Sequence, residues 1–344
     1  MKESKIRTAR WTFGVPLLAF IMGCSGSSSD GEAIFQHDFV SSAVPWTHDR
    51  FDKNDGKFSF AIIGDLNGGE RPAIFEVAIE QLTALRPDLI LSVGDLIDGV
   101  SEDAGSLHAE WDFFDERALR SPVPLFRVGG NHDLTAQALR DVWIERYGAL
   151  YYHFIYNDVL FLVLDTEDYT PERRIEIRDA RNAASELIGE ELAQSSYYEM
   201  PERQTGNIGP EQSAYFQEVI AAHPEVRWTM LFMHKPVWAR EDEPDFVAIE
   251  TALSDRPYSV FGGHYHILSH EVRNGRDYTQ LSTTGGSQNP SSDMAFDHIT
   301  LVTMTEDGPS VAHLRLDGIL DESGHVPVAG DDLCFQASRC GAPQ

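Results

Sequence analysis

The chain has 344 residues, with 27 Lys and Arg against 55 Asp and Glu, and a formal net charge of −28 at pH 7. So acidic a chain disfavours a nucleic-acid backbone as a partner, because phosphate binding requires clusters of Lys and Arg. The length suffices for one large domain or two ordinary ones.

The N-terminal segment combines a basic stretch, the apolar run Trp11–Met22, a small residue and Cys24. The apolar run is too short for a typical transmembrane helix. The order of these features resembles the lipobox of bacterial lipoproteins, which implies a signal peptide over residues 1–23 and a lipidated Cys24. Residues 24–50 are then predicted to be the lipidated cysteine and a flexible tether, because Ser and Gly follow. The resemblance implies export and a lipid anchor in the cell envelope. Ser25 favours the outer membrane, with the domain facing the periplasm or the surface; the alternative is an ordinary secretory signal with a free Cys24.

Five apolar runs farther along the chain each lead into a loop with Gly or polar side chains, which is typical of a buried strand entering a loop. The predicted strands are Lys57–Ile63, Leu89–Val93, Leu125–Val128, Trp228–Met233 and Tyr258–Phe261. The polar clusters after them are Asp65-Leu66-Asn67, Gly94–Asp98, Gly130–Asp133, His234 and Gly263–His266. Because open α/β sheets hold ligands at the carboxyl ends of their strands, we expect these clusters to converge at one edge.

The clusters contain carboxylate, amide and imidazole groups, which together suit Mn, Fe or Zn rather than a metal that prefers thiolates. Two such ions about 3.5–4 Å apart can clamp a phosphoryl group and acidify a bound water. Asp95 is the candidate for the anionic ligand that the two ions would share. Each cluster alone has a simpler interpretation: a turn at Asp65, helix N-caps at Asp95 and Asp98, or one strand face for His264 and His266.

The ordered set of clusters from Asp65 to His266 resembles the motif pattern of the calcineurin-like metallophosphoesterase superfamily. The ligands that this resemblance implies are Asp65, Asp95 and His266 for one metal, and Asp95, Asn131, His234 and His264 for the other. It also implies that His132 is the general acid, oriented by Asp98, and that a metal-bound hydroxide attacks phosphorus.

Asn67 departs from the family pattern, which usually has His at this position. An amide oxygen binds a hard cation, although more weakly than imidazole binds Zn or Fe. We interpret Asn67 as a metal ligand or as a hydrogen-bonding neighbour of one; the third alternative is a loosely held first metal. Asn67 also favours Mn over Fe or Zn for the two divalent ions. Asp98 disfavours the purple acid phosphatase branch, which has Tyr there.

The segments between the strands predict helices and hairpins. The predicted helices are Arg71–Leu85, Leu107–Leu119, Thr135–Tyr147 and Glu211–Ala222. Hairpins are predicted around the turn pairs Asn157-Asp158, Asn274-Gly275 and Asp307-Gly308. These elements predict an α/β fold with two packed sheets flanked by helices. The family resemblance implies an α-β-β-α four-layer sandwich of mixed sheets over residues 51–320.

Two further segments interrupt this pattern. The charged stretch of about residues 171–207 is interpreted as a helical insertion over or beside the metal centre. It is either a lid or specificity element, or a solvated surface helix. Residues 321–344 are predicted to be a C-terminal tail in which Cys334 and Cys340 form a disulfide, because an exported chain enters an oxidising compartment.

The motif set therefore predicts a metallophosphoesterase, a hydrolase that uses two divalent metal ions to cleave a small phosphorylated substrate. The bond is a phosphodiester or a phosphomonoester, which the ligands do not distinguish. The alternative function is a catalytically weak or inactive, lipid-anchored protein that keeps the fold and binds metal or phosphate. Asn67 is the feature that favours this alternative.

Overall fold

A computed structural model of the protein describes residues 34–51, 57–185, 187–240 and 243–340. The strands are β1 (Phe35–Gln36), β2 (Phe58–Ile63), β3 (Leu89–Ser92), β4 (Leu125–Phe126), β5 (Tyr152–Tyr156), β6 (Val159–Val163), β7 (Trp228–Phe232), β8 (Tyr258–Gly262), β9 (Ser269–Arg273), β10 (Arg276–Gln280), β11 (His298–Thr305) and β12 (Gly308–Arg315). The helices are α1 (Ile74–Leu85), α2 (Ala104–Ala118), α3 (Asn131–Leu134), α4 (Gln137–Tyr147), α5 (Pro171–Ala184), α6 (Gly189–Ala193), α7 (Ser196–Glu199), α8 (Pro201–Thr205), α9 (Pro210–Ala222), α10 (Pro244–Ala252) and α11 (Ala337–Cys340). The predicted signal peptide and Cys24 lie outside the described residues.

The strands form two mixed sheets. The larger sheet has the order β1-β5-β6-β7-β8-β10-β9, and the smaller has the order β12-β11-β2-β3-β4. Strands β2, β3 and β4 run parallel in the smaller sheet, as β6, β7 and β8 do in the larger one. Because parallel strands end at the same edge of a sheet, each sheet presents several carboxyl-end loops together.

Three apolar layers hold these sheets and helices together. The layer between the sheets is rich in aromatic rings: Phe154 stacks on Phe161 with centroids 4.6 Å apart, and Phe60 meets Phe161 edge-on. Apolar side chains of α1, α2 and α4 cover the outer face of the smaller sheet. Those of α9 and α10 cover the outer face of the larger sheet. The fold is therefore an α-β-β-α sandwich, as expected.

All four predicted helices differ slightly from the observed bounds, and two of the differences have clear local reasons. Helix α2 starts at Ala104 because the Asp103 side chain accepts a hydrogen bond from the Ser106 N–H and caps the helix. The single helix predicted over Thr135–Tyr147 is wrong at its start. Ala136 has extended backbone (φ −96°, ψ 156°), so α3 and α4 are separate.

The tether predicted over residues 24–50 is too long. Residues 34–50 pack on the domain, since β1 pairs with β5 and Trp46 is buried with its ring centroid 5.5 Å from that of Phe126. Burial of a large aromatic side chain stabilises such a segment by about 1.5–3 kcal/mol. In the described structure the domain thus begins by residue 34 rather than 51.

The predicted C-terminal tail also packs on the domain over residues 321–340. Val326 and Phe335 are buried, and the Arg71 guanidinium donates to the Cys334 carbonyl at 2.8 Å. Cys334 and Cys340 are joined by a disulfide with their Cα atoms 5.9 Å apart. Within the described ranges, no helix is both long enough and apolar enough to cross a membrane.

Candidate metal centre

The loops after β2, β3, β4, β7 and β8 bring the predicted ligands to one site. Three ligand positions have backbone in the left-handed region, with φ of 55° at Asp95, 79° at His264 and 55° at His266. Non-glycine residues adopt this conformation at a cost that the surrounding structure must offset, and such residues cluster at functional sites. Gly130 is required nearby, because a Cβ there would lie 2.3 Å from the Asp95 Oδ1.

Two groups of potential metal ligands form at this site. One consists of Asp95, His234 and His264, and the other of Asp65, Asp95 and His266. Within each group the ligand atoms all lie within 4.8 Å of one another. Asp95 belongs to both groups, which is the arrangement expected of a carboxylate shared by two ions.

The three imidazole rings are oriented by backbone carbonyls. One nitrogen of each ring lies at hydrogen-bonding distance from a carbonyl oxygen: 2.8 Å from His234 Nδ1 to Val93, 2.8 Å from His264 Nε2 to Arg203, and 2.6 Å from His266 Nδ1 to Ser287. A carbonyl only accepts, so each of these nitrogens carries the proton and donates. In the neutral form of each ring, the other nitrogen has a lone pair for a metal, as is usual for metal-binding histidines.

The oxygen donors at the centre also fit a cation. Asp65 and Asn67 are buried, and neither the Asp65 Oδ2 nor the Asn67 Oδ1 has a hydrogen-bond partner among the described residues. An unpartnered buried polar atom is costly, and a bound metal ion would remove that cost. The Asn131 Oδ1 lies 3.1 Å from the His234 Nε2, so this amide oxygen also faces the cluster. The position of Asn67 supports its interpretation as a ligand.

The buried carboxylates favour positive charge at His234, whereas burial and nearby positive charges disfavour it at His264. Burial would lower the pKa of His234, but the Asp95 and Asp65 carboxylates raise it to about 9. Burial would raise the pKa of Asp95, yet the charge of His234 holds it well below its ordinary value. Burial, together with the charges of His234 and Lys235, lowers the pKa of His264 far below its ordinary value. Its ring is therefore neutral, which metal ligation requires.

His132 lies beside the ligands without joining either group. Its backbone N–H donates to the Asp95 Oδ1 at 2.8 Å. Its Nδ1 lies 2.6 Å from the backbone carbonyl of Asp98, so Nδ1–H donates and Nε2 is left for other chemistry. The expected orienting role of Asp98 thus belongs to its main chain, since the Asp98 side chain is exposed.

Asp133 is a residue of the centre to which the sequence analysis assigned no role. It is fully buried, and its carboxylate accepts from the N–H groups of Leu96 at 3.0 Å, Ile97 at 3.2 Å and Gly130 at 2.8 Å. Burial and the Asp95 charge raise the pKa of Asp133 to about 7. These bonds join the loop after β3 to the loop after β4. The acidic residue after His132 was the signal for this role.

A family model described as calcineurin-like phosphoesterase matches residues 58–268. A dimetal phosphatase from Danio rerio is 14% identical, with 75% of this chain and 98% of that chain covered and a TM-score of 0.49. GAP50, an inner-membrane-complex anchor of Plasmodium, is 14% identical, with 79% and 87% covered and a TM-score of 0.48. The structure of PhoD is 12% identical, with 76% and 69% covered and a TM-score of 0.51. Curated proteins yield no significant match. The likeness to PhoD concerns the fold alone.

Proposed function

Because the chain belongs to the calcineurin-like phosphoesterase family, it is a phosphoric ester hydrolase, and we propose that it acts through a dinuclear centre of divalent metal ions. The observation that carries this proposal is the position of Asp95, which is a member of both ligand groups. A single carboxylate placed in this way can bridge two ions, whereas a mononuclear site has no need of a second group of ligands.

Seven side chains would hold the two ions. Those for the first are Asp65, Asn67, Asp95 and His266, and those for the second are Asp95, Asn131, His234 and His264. When bound, the ions neutralise charge on the phosphoryl oxygens and acidify a water molecule. Because oxygen donors and an amide are prominent in this set, we propose Mn, with Fe or Zn as the other candidates.

The chain's own contribution to bond cleavage is proton transfer and positioning. His132 is held by the Asp98 carbonyl through Nδ1, so its Nε2 is the atom that would protonate the leaving oxygen. Asp133 holds the two loops that carry Asp95 and Asn131 in their relative position. We propose a small phosphorylated substrate, because the acidic surface repels long polyanions.

The test is hydrolysis by residues 25–344, stripped of metal and reloaded with Mn, Fe or Zn. Turnover of a chromogenic phosphate monoester is compared with turnover of the corresponding diester, with and without metal. Metal-dependent turnover is the expected result, and the ratio of the two rates assigns the enzyme as a phosphatase or a phosphodiesterase. If the metal is bound and neither ester is hydrolysed, the proposal fails and the inactive binding protein becomes the better account.

We also propose that the protein is exported and anchored to the bacterial envelope through a lipid on Cys24. The basic, apolar, small-residue and Cys order at the N-terminus supports this proposal. The full chain should fractionate with membranes, and a Cys24→Ser variant should not be lipidated and should leave the membrane fraction. Equal distributions of the two proteins would contradict the anchor.

A further inference from the structure

The insertion between β6 and α9 reaches the metal centre. It contains α5, α6, α7 and α8, and the last of these helices makes the contact. The Arg203 carbonyl in α8 accepts a hydrogen bond from the His264 Nε2 at 2.8 Å. This nitrogen is the one that does not face the metal ligands. The Arg203 backbone therefore lies directly behind His264, just outside the ring of ligands.

Helix α8 is held by cationic side chains, two of them from the domain and one from α5 of the insertion. The buried Lys235 Nζ donates to the Glu202 carbonyl at 3.0 Å. Arg173 makes two hydrogen bonds of 2.9 Å to the Glu202 carboxylate, and Arg240 donates to the Gly206 carbonyl at 3.2 Å. Charge-assisted hydrogen bonds of this kind are among the stronger side-chain contacts. This end of the insertion is a fixed wall of the site, not a hinged lid.

The Arg203 side chain stacks on aromatic rings of the insertion. Its guanidinium carbon lies 3.6 Å from the centre of the Tyr198 ring and 5.7 Å from that of Tyr197. Tyr265 follows His264 in the chain, and its ring centroid lies 5.5 Å from that of His264.

The Arg203 guanidinium is available to an anion. Among the residues that the structure describes, no carboxylate lies within ion-pairing distance of it, although the chain has 55 acidic residues. Stacking on Tyr198 covers one flat face and leaves the N–H edge of the guanidinium uncovered by that ring. That edge matches a carboxylate or a phosphate in two-point hydrogen bonding.

We propose that Arg203, with Tyr198 and Tyr265, is a substrate subsite for a second anionic group. The substrates it favours are phosphate esters whose leaving group carries a carboxylate or a further phosphate. This inference rests on the proposed function, because it assigns the scissile phosphate to the metal centre. Arg203 then selects among phosphate esters and takes no part in bond cleavage.

The test is calorimetric binding of two non-hydrolysable probes to the metal-loaded protein. Methylphosphonate has only the metal-binding head, and phosphonoacetate adds a carboxylate. The wild-type protein should bind phosphonoacetate more tightly by at least about tenfold. Arg203→Gln should reduce that ratio by about tenfold to hundredfold, the range expected for a charge-assisted hydrogen bond. Arg203→Lys keeps the charge without the two-point geometry and should give an intermediate ratio.

The ratio of phosphonoacetate affinity to methylphosphonate affinity distinguishes loss of the subsite from general damage to the structure. The Arg203→Gln variant keeps the backbone carbonyl that contacts His264, so its metal content and methylphosphonate affinity should match the wild type. Arg120→Gln, at an exposed position after α2, is the control and should leave the ratio unchanged. Chelation of metal by phosphonoacetate affects all variants alike and cancels. A ratio near one in the wild type, or an equal ratio in Arg203→Gln, overturns the subsite.

Binding also separates this inference from the proposed function. If the ratio falls in Arg203→Gln but no ester is hydrolysed by the metal-loaded wild type, the subsite stands and the hydrolytic proposal fails. If esters are hydrolysed and the ratio is the same in Arg203→Gln as in the wild type, the hydrolytic proposal stands and the subsite fails.

Discussion

Replacing His132 with Ala tests the proposal that His132 donates the proton while other residues hold the metal ions. The imidazole is held through Nδ1 by the Asp98 carbonyl at 2.6 Å, which leaves Nε2 to protonate the leaving oxygen. The backbone N–H of residue 132 donates to the Asp95 Oδ1 at 2.8 Å, and this bond survives the substitution. The ligands of both ions should therefore stay in place, so the change removes the proton donor alone.

The expected loss in kcat is about 10²–10⁴, the usual size of a general-acid contribution. This loss corresponds to about 2.7–5.4 kcal/mol in the activation barrier. It should depend on the leaving group, because a poor leaving group needs protonation more than a good one does. A nitrophenyl ester should lose little in the His132→Ala variant, and an alkyl phosphate should lose the full amount.

The assay is kcat over a series of esters whose leaving groups span a wide range of pKa, measured together with metal content. In the wild type the rate should vary weakly along the series, and in His132→Ala it should fall steeply as the leaving-group pKa rises. His325→Ala is the control, because His325 is an exposed histidine of the C-terminal segment, where it pairs with Asp331. An equal slope in His132→Ala and the wild type, with metal retained, would remove His132 from the mechanism.

Four further substitutions test the ligands and the core. Asp95→Ala should lose both ions by elemental analysis, whereas His266→Ala should weaken only one; a fully metallated Asp95→Ala protein would contradict the bridging role. Asn67→Ala should weaken binding of the first ion by about tenfold or more if the amide oxygen is a ligand or positions one, and an unchanged titration would assign Asn67 to the structure of the loop alone. Burial lowers the pKa of His298 to about 3, while the unfolded chain has a value near 6.5, so the unfolded state takes up the proton first. The contribution of His298 to the free energy of unfolding is therefore retained above pH 6.5. That contribution is lost as the pH falls towards 3, by about 2 kcal/mol at pH 5. His298→Asn should remove that part of the pH dependence in denaturant titrations, and an identical pH profile would refute it.

The fold was predictable because local sequence patterns mark its strands and hairpin turns. Runs such as Leu89–Val93 are apolar except for Ser92, as is typical of strands covered on both faces. Turn pairs such as Asn157-Asp158 adopt the positive φ that hairpins require. Helix ends were less predictable, since the break at Ala136 has no Gly or Pro to mark it. The burial of Trp46 was not predicted, because it depends on contact with Phe126, which is far from Trp46 in the sequence. Local sequence patterns do not indicate such contacts.

The candidate metal ligands were predictable from the sequence alone. Asp, Asn and His are chemically distinct side chains, and their positions after apolar runs are enough to bring them to one sheet edge. The carbonyls that orient the imidazoles of the centre were decided only by the tertiary structure: Val93 for His234, Asp98 for His132, and Arg203 for His264. The physical reason is that every residue carries the same carbonyl group, so no residue type marks the one that is used. Which carbonyl lies within 3 Å of an imidazole is settled by the path of the whole chain.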